Sequence, residues 1–203
     1  APRVTAQHLA ASALGRSTYV TASDGARIHC LEKGAGPAIL FVPEWTMPAE
    51  IWEYQISYFS QTHRVVAMDP RSQGRSSDTA DGHYPAARAR DIKAVVDQLK
   101  LSPVVLVGWS MGVTELAAYV DLFGTATISQ LVLVDGIAGG DFDAVATPAL
   151  LRFASLFQSD RAKATSDFVR GMFRKPQGEE FLTRLIASSL RTPTNSAMAQ
   201  FLG

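Results

Sequence analysis

The sequence predicts an α/β fold: a mostly parallel sheet with helices on both faces. Two patterns and one motif carry that reading. Short apolar runs at 38–42, 64–68, 103–107 and 130–134 are separated from one another by segments with apolar residues at helical spacing. Strand-length apolar runs alternating with amphipathic helices indicate a parallel sheet covered on both sides. Ahead of them, two strand candidates flank Asp24-Gly25, a pair suited to the left-handed positions of a tight hairpin. The motif is Gly108-Trp109-Ser110-Met111-Gly112, set between a strand candidate and a helix candidate.

In chain order, residues 1–16 form an N-terminal segment, with some helical character around 7–14. The hairpin strands are 17–21 and 27–31, and Gly34-Ala35-Gly36-Pro37 breaks the chain before the apolar run Ala38 to Val42. Pro48 suits the first turn of a helix, after which Ile51, Tyr54, Tyr58 and Phe59 recur at helical spacing. Arg64 to Met68 is the next strand. Pro85 to Leu99 is an amphipathic helix whose stripe is Ala89, Ile92, Val96 and Leu99. A strand at 103–107, a helix from 111 to about 123 and a strand at 130–134 follow.

Beyond Gly139 no apolar strand run recurs, and 148–157, 160–173 and 179–191 read as helices. One predicted face carries Leu150, Leu151, Phe153, Ala154 and Phe157, and another Phe168, Val169, Met172 and Phe173. Such stripes pack onto a sheet domain, line a substrate-facing lid, or do both. The domain reading is therefore an N-terminal segment at 1–16, an α/β core at 17–139 and a helical cap at 140–203.

The Gly-x-Ser-x-Gly motif gains its meaning from its flanks. On a tight strand-to-helix turn the serine takes an unusual backbone geometry, and the residues two positions either side must be small. The turn lifts the Ser110 hydroxyl to the carboxyl end of a strand with a helix N-terminus behind it. The plain alternative is a glycine-rich turn with a surface serine.

Composition narrows the function classes. Nineteen basic and nineteen acidic residues balance to a formal charge of zero, which gives no footprint for nucleic acid or an anionic membrane. No apolar run approaches the roughly 18 residues of a membrane span. Cys30, the only cysteine, reads as a small buried filler. No cluster at metal-ligand spacing and no phosphate loop is visible, so neither a metal nor a cofactor is implied. The chain starts Ala1-Pro2-Arg3 without methionine, a start that cleavage of a signal peptide or removal of a tag would each leave. The location expected is periplasmic or secreted, with cytoplasmic as the alternative.

Residues 17–136 resemble the α/β-hydrolase superfamily, and most of all its esterase and cofactor-free haloperoxidase group. The resemblance rests on the Asp24-Gly25 hairpin, Pro43-Glu44-Trp45, the segment Asp69-Pro70-Arg71-Ser72-Gln73-Gly74-Arg75-Ser76, the Ser110 elbow and Leu131-Val132-Leu133-Val134-Asp135. It implies an eight-stranded sheet with a helical cap after strand six, and a serine, an acid and a histidine in that chain order. By position, the backbone N–H groups of Trp45 and Met111 are the oxyanion-hole donors. Asp135 is either the triad acid or a turn former satisfied locally. Asp69 and Arg71 are expected as a structural pair behind the nucleophile.

Three departures stand out. The usual His-Gly before the oxyanion residue is Pro43-Glu44, and Ser72 replaces a customary glycine. Glu44 is expected to face solvent, since buried unpaired carboxylates are rare. All four histidines (His8, His29, His63, His83) precede Ser110, and His63 and His83 read as ordinary polar positions. The family's base and the strands that carry its triad follow the cap, so the 203 residues are expected to be part of a longer polypeptide lacking its C-terminal core strands here. The edge left at 130–134 would then be apolar and open.

The function expected is a serine hydrolase, a carboxylesterase or lactonase working through an acyl-enzyme on Ser110, with perhydrolysis as a side reaction. Its partner is a small ester or lactone, and apolar cap helices suit a hydrophobic acyl or aryl group. The alternative is a catalytically silent protein of the same fold that binds a ligand or a partner.

Overall fold

Side chains alternate across every central strand, and this alternation sorts the molecule into layers. The computed structural model describes residues 14–138 and 148–202. Its strands are β1 (Arg16–Thr21), β2 (Arg27–Lys33), β3 (Ala38–Val42), β4 (Arg64–Met68), β5 (Val104–Trp109) and β6 (Ile128–Val134). They form one sheet in the order β1-β2-β4-β3-β5-β6. Pairs β3/β4, β3/β5 and β5/β6 are parallel, whereas β1/β2 and β2/β4 are antiparallel. A mostly parallel sheet with a hairpin pair at one end is what the sequence predicts.

On one face Ile28, Cys30, Leu40, Val42, Val66, Met68 and Leu106 meet helices α2 (Pro85–Gln98) and α3 (Met111–Phe123) through Ala89, Ile92, Val96, Leu116 and Tyr119. Cys30 is fully buried, as expected of a filler. On the other face Leu31, Ile39, Phe41, Val65, Ala67 and Val107 meet a 3-10 turn (Ala49–Trp52) and α1 (Glu53–Phe59). The predicted helix after Pro48 thus begins as a tighter turn. Its core contacts are Ile51, Trp52 and Ile56, while Tyr58 is 70% exposed.

The cap consists of α4 (Pro148–Ser159), α5 (Arg161–Gly171), α6 (Glu179–Arg191) and α7 (Thr194–Leu202). Of the two roles weighed for its stripes, packing onto the sheet domain is seen. Val169 of α5 and Phe181, Leu182 and Leu185 of α6 belong to the second face's core. Ala154 and Phe157 of α4 and Ala197 and Met198 of α7 instead gather around Trp45. Leu151, expected on the packed face of α4, is 62% exposed. Helix α7 goes unread in the sequence because Thr194, Asn195 and Ser196 are weak helix formers. Tertiary burial of Ala197 and Met198 overrides that propensity.

Residues 1–13 and 139–147 lie outside the described residues, and with them the expected helix near 7–14, His8 and the core-to-cap junction. Strand β6 is the last in the sheet, and Leu131, Val132, Leu133 and Val134 stay 39–46% exposed. No helix among the described residues is long and apolar enough to cross a membrane.

The cap is therefore joined to the sheet by core contacts. Leu185 is 2% exposed, and removing its side chain leaves a cavity costing about 3 kcal/mol. Leu185→Ala is expected to lower the denaturant midpoint accordingly, with an unchanged slope; equal midpoints would show α6 lying loosely on the core.

Candidate active site

At the carboxyl end of β5 the chain reverses into α3 through Ser110, which has φ 51° and ψ −114°. A non-glycine residue held there costs about 1–3 kcal/mol, so its surroundings must enforce the geometry. The enforcement is visible on both sides. The Ser110 N–H donates to the Val134 carbonyl at 2.9 Å, and the Ser110 carbonyl accepts from the Val113 N–H at 2.9 Å. A Cβ at Gly108 would lie 2.6 Å from the Gly112 carbonyl oxygen, and one at Gly112 would lie 2.6 Å from that of Val42. The two flanking positions must be bare because strand, helix and the end of β3 share one small volume. Ser110 itself is half-buried and keeps access to the surface.

The close approach of Gly112 also places the elbow beside the loop 43–47. The hypothetical Gly112 Cβ is 3.1 Å from the Pro43 carbonyl oxygen as well. In that loop the Trp45 side chain is buried, its indole N–H donating to the Ala197 carbonyl at 2.7 Å. Its ring contacts Phe153, Phe157, Phe168 and Phe201, with centroids 4.7–5.8 Å away. Helices α4, α5 and α7 thereby clamp the Trp45 side chain, two residues after the Pro43 carbonyl that Gly112 approaches. Thr46 next to it has φ 60° and is fully buried, its hydroxyl accepting from Ser189 of α6 at 2.7 Å. Neither the Trp45 nor the Met111 backbone N–H has an internal acceptor among the described residues. Met111 opens α3, where helix N–H groups are left unpaired and favour negative charge.

Glu44 does not face solvent. It is 9% exposed, and Ser110 and Asp135 are the groups that act on its carboxyl. Burial pushes the Glu44 carboxyl up to about 7; the Ser110 hydroxyl pulls against this rise, and the Asp135 charge adds to it. The loop has its own supports. Gln73 donates its amide N–H groups to the carbonyls of Glu44 and Met47, at 3.0 Å each, and Met47 N–H returns to the Glu44 carbonyl at 3.1 Å. These bonds hold the Glu44 backbone in place within the loop.

Gln73, Arg88 and Glu115 are residues that the sequence reading did not single out. Arg88 donates to the Gln73 Oε1 at 2.6 Å, touches the Met111 sulfur at 3.6 Å and pairs with Glu115 at 2.9 Å. Arg88 and Glu115 are each about 2% exposed, and burial shifts both toward their neutral forms. A signal existed: Arg88 and Asp91 fall on the same helical stripe as Ala89, Ile92 and Val95, where charges need buried partners.

Asp69 and Arg71 are not a pair, contrary to expectation. Asp69 accepts from the Ala49 and Arg75 backbone N–H groups and holds His29 at 2.7 Å. Arg71 makes a two-pronged contact with Asp91, 2.7 Å at each prong, and reaches Asp24 at 2.8 Å. The described histidines are all committed away from the elbow. His29 bridges Asp69 and Ser17, His83 meets Ser72 at 3.0 Å, and His63 meets Thr62 at 2.8 Å. Asp135 follows β6 with φ 44° and is exposed. Its neighbour Gly136 has room for no side chain, since a Cβ would lie 2.5 Å from the Ser110 carbonyl oxygen.

Comparison with known proteins agrees with this fold. The sequence pattern described as the alpha/beta hydrolase family matches residues 34–201. A non-heme haloperoxidase of Rhodococcus erythropolis is 38% identical over 120 residues, which is 59% of this chain and 44% of that protein. A bifunctional esterase/perhydrolase of Acinetobacter calcoaceticus is 35% identical over 122 residues, with the same coverage of each. The chain thus spans less than half the length of these curated relatives. Among solved structures, an esterase from Exiguobacterium antarcticum superposes with a TM-score of 0.84 at 24% identity, over 92% of this chain and 72% of that one.

Two outcomes test the site's construction. Gly112→Ala is expected to lose about 2 kcal/mol or more in denaturant unfolding, because the Val42 carbonyl cannot move without breaking the sheet. Glu44 is raised in the folded state from 4.5 to about 7, so the folded form holds its proton longer than the unfolded chain. Stability therefore falls as pH rises from about 4.5 to about 7, by an amount on the order of 3 kcal/mol. Glu44→Gln is expected to remove that part of the fall; a variant whose stability tracks the parent across this window would place the carboxyl in water.

Proposed function

Since this chain belongs to the alpha/beta hydrolase family, we propose that it is a serine hydrolase of ester bonds, a carboxylesterase or lactonase using Ser110 as nucleophile. The observation that carries the reading is a strained, accessible Ser110 on a turn that Gly112 packs against the start of the loop 43–47, with unpaired main-chain N–H groups at Trp45 and Met111 among the described residues. Free N–H groups fixed in a partly dry site stabilise charge that develops on a carbonyl oxygen, and they do so without reorganising.

In the reaction, the Ser110 oxygen attacks the ester carbonyl carbon as its proton leaves. The carbonyl π electrons move to oxygen, which the two N–H groups hold, and collapse of this intermediate expels the alcohol and leaves an acyl-Ser110. Water then attacks the acyl-enzyme by the same route and releases the acid. For a lactone the alcohol is the far end of the acyl chain, so it is carried on the acyl-enzyme and the product is a single hydroxy acid.

An apolar acyl or aryl substrate suits the cap. A cavity of about 450 Å³ between α4 and α5 is lined by Phe153, Leu156, Phe168 and Met172, and Phe153 and Phe168 also contact the Trp45 ring. The relatives named as an esterase/perhydrolase and, at 24% identity, as an N-acyl homoserine lactone degrading enzyme support the same class.

A fluorophosphonate probe is expected to label the protein at Ser110. Ser110→Ala is expected to abolish labelling and to lower hydrolysis of short aryl esters by at least about 1000-fold. A folded parent that takes no label and cleaves no ester would leave the silent binding protein as the better description.

A further inference from the structure

We propose that Arg88 is a positioning residue that sets the spacing of the two oxyanion-hole donors, by tying the loop 43–47 and the first turn of α3 to one guanidinium. This deepens the serine-hydrolase reading above and rests on it.

On the loop side the tie runs through Gln73. A trans peptide is planar, and its N–H points opposite its carbonyl. The Glu44 carbonyl and the Trp45 N–H belong to one such peptide, so whatever holds the first aims the second. Gln73 holds it, donating its side-chain amide to the Glu44 and Met47 carbonyls at 3.0 Å each. Arg88 in turn holds Gln73: its Nη2 donates to the Gln73 Oε1 at 2.6 Å. A guanidinium can only donate, so the amide oxygen must face Arg88 and the amide nitrogen must face the loop.

On the elbow side the Val113 N–H holds the Ser110 carbonyl at 2.9 Å, which aims the Met111 N–H by the same rule. Arg88 joins this side twice. Its Nη1 donates to the Met111 sulfur at 3.6 Å, and its Nε lies 2.9 Å from Oε1 of Glu115, four residues further along α3. Three nitrogens of one planar group thus address Gln73, Met111 and Glu115.

Packing alone does not account for this residue. Its neighbours Ala89, Ile92 and Val95 on α2 enter the apolar core, and apolar side chains commonly replace a buried ion pair without loss of stability. An apolar side chain there would cut the link between loop and elbow. Lysine would keep a positive charge opposite Glu115 but offers no planar fork. A displacement of about 1 Å near the reacting atoms costs roughly 100-fold in rate, so a slackened link registers in turnover.

The test compares the parent with Arg88→Lys, Gln73→Met and the double variant, each checked for folding by thermal melting. The readouts are kcat and KM for a short aryl ester and Ki for an aryl trifluoromethyl ketone, whose adduct with Ser110 carries the oxyanion. Arg88→Lys is expected to lower kcat roughly 10- to 100-fold, less than the loss of a whole donor, with KM within about twofold. The Ki should rise by the same factor as kcat falls. Gln73→Met cuts the same link, so the double variant should be about as slow as the slower single one. A folded Arg88→Lys with unchanged kcat would reduce Arg88 to a packing residue. A rise in KM alone, or losses that multiply in the double variant, would equally overturn the tie while leaving Ser110 as nucleophile. If Arg88→Lys does not fold, Gln73→Met decides: it must show the same fall in kcat at constant KM. A parent that cleaves no aryl ester removes the serine-hydrolase reading and this role together.

Discussion

The approach of Gly112 to the carbonyl oxygens of Val42 and Pro43 ties three pieces of chain into one site. It brings the first turn of α3 against the end of β3, and so sets the elbow beside the loop that carries Glu44 and Trp45. Ser110 can hold its left-handed backbone only while that contact and the bond from its N–H to Val134 are both made. The strain at one residue is thus supported by three neighbouring parallel strands, β3, β5 and β6.

Much of this was legible because it depends on covalent geometry and periodicity. Bare positions at 108 and 112 around a serine, between a strand and a helix, can hardly mean anything but a tight elbow. The apolar runs of β3 and β4, buried on both faces, and the stripe of α2 are likewise written in residue order. The burial of Glu44 was not, because its carbonyl is held by Gln73 from a loop 29 residues away. The general rarity of buried carboxylates pointed the other way, and it failed here because the Ser110 hydroxyl compensates part of the cost. Asp69 and Arg71 lie close in sequence, yet each is drawn to separate partners, on β2 and on α2. Helix α7 forms around Trp45 rather than from its own propensity.

Charge burial is the other theme of the site. Arg88, Glu115 and Glu44 are all nearly inaccessible, and desolvation shifts each toward its neutral form. A protein pays stability for such groups, and it commonly does so where chemistry needs them. Arg88 and Glu115 brace Gln73 and Met111, so their cost goes into the rigidity of the loop and the elbow. The clamp on Trp45 by four cap phenylalanines works to the same end from above.

The most direct test of the site is a crystal structure of the protein after phosphonylation of Ser110. The phosphoryl oxygen is expected about 3 Å from both the Trp45 and the Met111 nitrogens, with the cap unmoved around Trp45. An adduct whose oxygen turns to solvent, or whose neighbours are other N–H groups, would contradict the assignment of the hole and the chemistry drawn from it.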